Sequence, residues 1–323
     1  MRPTVIAFNN DCQHENRKKH GKDRKGQQRW KCLDCGATFI SDEARPLGDM
    51  RIELADAVKV LKMLLEGMSI RACERITGMK RDTICDLVLL VGENCARFME
   101  TFIRDVDAKV IELDELWDFI RLKARTKERL GRIGEEDGDS WTWLAIDADS
   151  KLILSHAVGL RDESTCDRFL KQLNAAVAGD CQVKSDGLRL YTNRVPFHLG
   201  SRASFAQLVK TYGHEQQENR YSPAAIIGTE KTVRFGNPDE DRISTSYSER
   251  LNLSVRMHVR RFTRLTNAHS KTYAHHAAMT ALFVAWYNVC RPNMALGKGV
   301  TPAMAAGITE NKWDLETLLR AAA

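Results

Sequence analysis

Long apolar runs are missing from this sequence. No window approaches the roughly 18 uninterrupted apolar residues that a membrane-spanning helix requires, which argues against a helical membrane protein. The opening stretch, MRPTVIAFNNDC, lacks the apolar core of a secretory signal, so a cytoplasmic protein is expected. No internal repeat and no low-complexity tract is present, which leaves ordinary globular domains as the expected organisation. With 323 residues, and domains commonly of roughly 100 to 200, more than one domain is expected. Without a secretory context the nine cysteines read as thiols or metal ligands and not as a disulfide framework. Cys73, Cys85, Cys95, Cys166, Cys181 and Cys290 stand singly among apolar or helical residues and are expected to be buried free thiols.

Acid is absent from residues 250–271, which carry six Lys/Arg, and scarce in residues 14–31, where eight Lys/Arg face only Glu15 and Asp23. Each stretch sums to +6, equal to the net charge of the whole chain, so the remaining body is acidic. Two basic stretches on an acidic body point to a polyanionic partner contacted at two places, or, more plainly, to two solvated faces.

Cys32 and Cys35 form a CxxC followed by Gly36, and Cys12 lies upstream of the Lys- and Gly-rich stretch KKHGKDRKGQQRWKC. The pattern reads as a zinc ribbon, in which thiolates from separate turns meet on one tetrahedral Zn2+. The upstream half is incomplete, because Glu15 stands where a second CxxC would place cysteine. His14 is the expected fourth ligand, with Glu15 and His20 as alternatives.

Residues 50–103 read as helical. Leu54, Val58, Leu61 and Leu65 recur at helical spacing, and Gly67 ends that helix. Ser69 is the expected N-cap of the next, with Ile70, Cys73 and Ile76 facing inward, and Gly78 makes a turn before a helix from about Arg81. This fits either a helix-turn-helix, with Lys80, Arg81 and Thr83 opening the recognition helix, or an ordinary helical hairpin.

From about Asp105 strands alternate with helices. AKVIELDELW reads as a strand, SWTWLAIDADSKLILSHAVG as a hairpin turning near Asp149, STCDRFLKQLNAAVA as a helix, and CQVKSDGL and ASFAQLVKTY as further strands. A long helix starts near Tyr247, and residues 125–139 read as a charged loop. The expected fold is α/β, a mixed sheet flanked by helices. Asp114 is expected at the end of the first strand of this region and Asp186 where a strand gives way to a glycine turn. On a helical wheel Glu249, Arg256, Arg260 and Arg264 share one face, opposite Leu251, Val255, Val259 and Phe262. Three carboxylates from distant segments beside arginines suit Mg2+ or Mn2+ chemistry on phosphates. Each acid also has an ordinary role as turn, cap or first-turn residue, and Glu112, Glu115 and Asp147 are rivals nearby.

DELW, SDGLRLY and SYSERLNLSVRMHVRRFTRLTNAHSK resemble, in order and character, the catalytic blocks of transposases of the insertion-sequence-one family. The resemblance extends from GQQRWKCLDCGATF to YNVCRPNMAL and TPAMAAG, nearly the whole chain, and its most specific element is Glu249 followed seven residues later by Arg256. It departs at the incomplete zinc knuckle and at Ser248, where an apolar residue is expected. The resemblance implies a zinc-ribbon-like module over 1–46, a helix-turn-helix domain over 47–104 and a ribonuclease-H-like catalytic domain with C-terminal helices over 105–323. It implies a DDE transposase: Asp114, Asp186 and Glu249 would hold Mg2+ or Mn2+ for cleavage at element ends and strand transfer into target DNA. Cys12, His14, Cys32 and Cys35 would hold Zn2+, and Lys80, Arg81, Thr83, Arg256, Arg260, Arg261 and Arg264 would contact DNA. Terminal inverted repeats and target DNA are the implied partners of a nucleoid-associated homo-oligomer with no membrane role. The alternatives are a non-catalytic DNA-binding protein, such as a repressor, and a nuclease without the joining step.

Overall fold

A computed structural model describes residues 12, 14–22, 28–40, 45–131, 137–213, 226–264 and 266–323. The chain forms two compact units, 1–45 and 46–323. The expected helix-turn-helix and catalytic regions, 47–104 and 105–323, both fall within the second unit.

The first unit is a three-stranded antiparallel sheet, β1 (Arg17–Lys22), β2 (Gln28–Cys32) and β3 (Thr38–Ile40). Strand β1 is exposed throughout, so its lysines and Arg17 face solvent. Residues 23–27, between β1 and β2 in the sequence, lie outside the described residues.

The second unit opens with α1 (Leu54–Leu65), α2 (Ile70–Thr77) and α3 (Arg81–Phe102). Ser69 caps α2 through its hydroxyl, which accepts from the Ala72 N–H at 3.2 Å, and Gly78 ends the helix at φ 74°, a backbone shape that glycine adopts without steric cost. Glu74 then accepts the Arg81 N–H at 2.9 Å, which satisfies a first-turn donor of α3. Cys73 is buried as expected, but Ile76 is 59% exposed, because α2 is so short that its last turn projects past the core.

A six-stranded mixed sheet follows, in the order β6-β5-β4-β7-β8-β9. Its members are β4 (Val110–Ile120), β5 (Gly138–Asp147), β6 (Ile153–Gly159), β7 (Cys181–Ser185), β8 (Ala203–Tyr212) and β9 (Ile226–Phe235). Strands β4, β5 and β6 form an antiparallel meander, β7 and β8 add parallel to β4, and β9 returns antiparallel at the edge. Between them lie α4 (Ala124–Arg129), α5 (Glu163–Ala176) and α6 (Leu190–Leu199); α5 and α6 carry the two parallel crossovers. After the sheet come α7 (Ser246–His258), α8 (Tyr273–Val289), α9 (Pro302–Ala305) and α10 (Leu315–Ala321).

Alternation along β4 sends Glu112, Asp114 and Asp118 to the face covered by α7 and α8, and Leu113 and Glu115 to the opposite face. One continuous core runs from Leu61 and Val88 in the helical module to Phe205 in the sheet and Phe283 in α8. Each such large apolar side chain contributes about 1.5–3 kcal/mol on full burial. Of the segment 125–139, expected as a loop, residues 125–129 lie in α4, 138 and 139 open β5, and 132–136 lie outside the described residues.

Candidate functional site

The parallel ladder between β4 and β7 ends at the pair Leu113↔Ser185. Asp114 and Asp186 are the residues that follow on each strand, so the ladder itself sets these two carboxylates side by side. Asp114 therefore does not end its strand, as the sequence suggested. It sits mid-strand, still paired with Leu144 of β5, at the point where β7 stops. The strand continues to Ile120 because DELWDFI keeps the alternation needed to pair with β5.

Glu249 arrives on the first turn of α7, and a buried carboxylate holds that turn in place. Glu112, fully buried, accepts the N–H groups of Tyr247 and Ser248, both at 2.9 Å, and the Lys184 ammonium at 3.2 Å. Lys184 also donates to the Arg242 carbonyl at 2.6 Å. Ser248, where an apolar residue was expected, is buried, and its hydroxyl donates to the Thr245 carbonyl at 2.9 Å. One turn further on, Asn252 donates to Asp114 Oδ2 at 2.7 Å.

Asp114 feels the charge of the other two acids. Burial, then the charge of Asp186, with Glu249 adding to it, pushes the Asp114 carboxyl up to about 7. Each also has its own partner: the Glu115 N–H and Asn252 for Asp114, the Leu188 N–H for Asp186, and Thr245 and Lys210 for Glu249. Arg161 lies 3.6 Å from Asp186 and 2.8 Å from Glu115. Glu115, on the far face of β4, also accepts the Tyr191 hydroxyl, and burial pushes it up to about 7.

Among the described residues, the set whose ligand atoms all lie within 4.8 Å of one another is Cys12, His14, Cys32 and Cys35. Cys35 Sγ is 3.3 Å from His14 Nδ1, and Cys12 Sγ is 3.7 Å from Cys32 Sγ. The knuckle forms because Gly36, at φ 73°, lets its N–H turn back to the Cys32 carbonyl at 3.2 Å. The Cys35 N–H, followed by the His14 ring, pulls the Cys32 thiol down to about 6. Three soft sulfur donors and an imidazole could hold a metal such as zinc. The carboxylates of Asp114, Asp186 and Glu249 do not meet the same distance limit. Their donor chemistry nevertheless fits a hard divalent cation, and such a cation would offset the burial, and the neighbouring negative charges, that raise Asp114.

The basic residues are rearranged relative to expectation. Helix α7 ends at His258, where Val259 turns extended, and a 3-10 turn, Arg260–Phe262, follows. One helical face from Glu249 to Arg264 therefore does not exist. Arg256 is half-buried and feels the charges of Arg264, Asp114 and Asp118, while Arg260 and Arg264 are exposed. Arg261 turns inward, 3.4 Å from Ser270 Oγ and near Asp118. Lys80 and Arg81 are exposed at the start of α3, and Thr83 is half-buried. The rival acids have structural work: Glu112 anchors α7, Glu115 binds Arg161, and Asp147 caps the β5–β6 turn by accepting from Ser150 at 2.9 Å. Five of the six isolated cysteines are buried, with Cys85 half-buried. Asn252, Arg161 and Lys210 escaped the sequence reading; of these, only Asn252 carried a signal, three residues after Glu249 on the same helix.

No protein-family model matches the chain, and no curated protein does either. Among the described residues no helix is long and apolar enough to cross a membrane.

Proposed function

We propose that the protein is a DNA transposase that cleaves at the ends of a mobile element and joins them to target DNA, with Asp114, Asp186 and Glu249 holding Mg2+ or Mn2+. The observation that carries this reading is the juxtaposition of Asp114 and Asp186 just past the last β4–β7 pair, with the charge of Glu249 also reaching Asp114. The strand order supports a ribonuclease-H-like sheet, with an antiparallel meander extended by two parallel strands and the acids where the central ladder opens. Bound there, the cations would supply activation of an attacking oxygen and stabilisation of a leaving one. Asn252 orients Asp114, and Glu112 sets the turn that carries Glu249. Arg161 and Arg256 lend positive charge beside the acids. Zinc on Cys12, His14, Cys32 and Cys35 would brace the basic ribbon, which with Lys80 and Arg81 would engage the element ends.

Two observations favour a second reading, DNA binding without catalysis. The three carboxylates do not form a common ligand cluster, and Lys210 pairs with Glu249. Labelled element ends, supercoiled target and either Mg2+ or EDTA distinguish the two. Asp114→Asn, Asp186→Asn and Glu249→Gln should each lower joining by on the order of a thousandfold or more while end binding stays near wild type. Joining retained in any one of them removes that carboxylate from the mechanism, and joining in EDTA sinks the metal reading.

A further inference from the structure

A cavity of about 640 Å³ lies where the end of α1, the start of α2 and the first turns of α3 face the segment that follows α7 and the start of α8. Its floor is apolar, built from Leu64, Met68, Ile70, Val259 and Met279, of which Leu64, Val259 and Met279 are buried. Its rim is cationic: Arg71, Arg81, Arg260 and Lys271 are all exposed, and among the described residues no acid lines it. Arg81 shares its guanidinium with Asp82, 3.2 Å away and largely solvated. The rings of His269 and His275 also line the space. His275 is held through Nδ1, 2.7 Å from the Thr272 hydroxyl, while its Nε2 is buried with no hydrogen-bond partner among the described residues.

These features select a ligand. A duplex phosphate rail asks for cations on a solvated surface and gains nothing from a recessed apolar floor. A small apolar metabolite would not call for four cations. An unstacked nucleotide meets both demands, because its base has flat apolar faces and hydrogen-bonding edges while its flanking phosphates carry the charge. The volume falls in the range of sites that enclose a small organic group. Histidine rings can serve as stacking surfaces.

We infer that this cavity is a binding pocket for a single unpaired DNA base, with its adjoining phosphates held by Arg71, Arg81, Arg260 and Lys271. The inference deepens the proposed action on DNA by naming the substrate form, a strand with one base out of the stack. It rests on DNA being the partner but not on catalysis. The pocket captures the extruded base where the helical module meets the segment after α7, and so registers the strand relative to the carboxylates.

The test uses the full-length protein in EDTA, so that loss of catalysis leaves the measurement untouched. The probe is a short oligothymidylate carrying one central 2-aminopurine, whose fluorescence reports the base's surroundings. Binding should change that fluorescence, and a blunt duplex at equal nucleotide concentration should compete poorly. Met68→Trp, which fills the floor from a half-buried position, and the double variant Arg71→Ala/Arg260→Ala should each weaken binding at least about fivefold, with unfolding temperatures near wild type confirming that both fold. A smaller loss in either variant overturns the pocket, as does an unchanged probe signal. Equal competition by the duplex assigns the cations to a plain phosphate rail and overturns it too.

Discussion

Glu112 shows how much one side chain can carry at a distance from the reacting groups. Both its oxygens are engaged, one by Lys184 and the other by two N–H groups at the start of α7. Lys184 is itself buried, and burial pulls its ammonium below the ordinary lysine value while Glu112 opposes that shift. Removing one member of such a pair leaves an unpaired charge in the core and costs about 3–5 kcal/mol, whereas removing both costs less than the two losses added. Urea unfolding of Glu112→Gln, Lys184→Met and the double variant is expected to show that non-additivity, and strictly additive losses would mean the two side chains act separately. The sequence marked Glu112 only as a rival to Asp114, because a carboxylate's neighbours across the sheet and on a helix 135 residues later cannot be read from its own strand.

At the scale of elements, helix α3 meets α8 more closely than side chains normally allow. A Cβ added at Gly92 would stand 2.2 Å from the Ala278 carbonyl oxygen, which is backbone and cannot swing away. Gly92→Ala should therefore push the two helices apart and lower stability by about 1–3 kcal/mol, read as a drop in urea midpoint. A midpoint equal to or above wild type would show that the crossing has slack. The end of α7 teaches a related lesson. Val259 and Phe262 are both buried, so the apolar spacing runs on past His258, yet the backbone has already left the α-helix for a turn of period three. Spacing of three to four fits both shapes, which is why the helical wheel carried Arg260 and Arg264 onto a face that ends at His258.

The whole molecule divides into a small ribbon and a large α/β unit, and their stability should have different sources. Too few residues surround Cys12, His14, Cys32 and Cys35 to bury a core, so a metal there would supply folding energy directly. Purified protein should carry about one zinc per chain. Chelation, or Cys35→Ser, should expose residues 14–40 to protease while 46–323 stays resistant. Unchanged protection of the ribbon after verified metal loss would show that it folds on its strands alone.

Much of this architecture was legible in the amino-acid order. Alternation marked β4 through β8, helical spacing and the Ser69 and Gly78 signals marked the helical module, and ligand spacing marked the Cys/His cluster with His14 as its fourth member. Helix α6 and strand β9 were not read, the first because Pro196 interrupts its pattern and the second because exposed polar residues hide its alternation. By itself the sequence determined the local period of most elements, and with it which residues of β4 or α1 share a face. Only the tertiary structure decided that Asp114 and Asp186 adjoin where a ladder ends, that Arg261 turns inward, and that Asn252, Lys210 and Arg161 reach the acids. Those facts depend on how far apart the elements pack and on where each one stops, and no local period encodes either quantity.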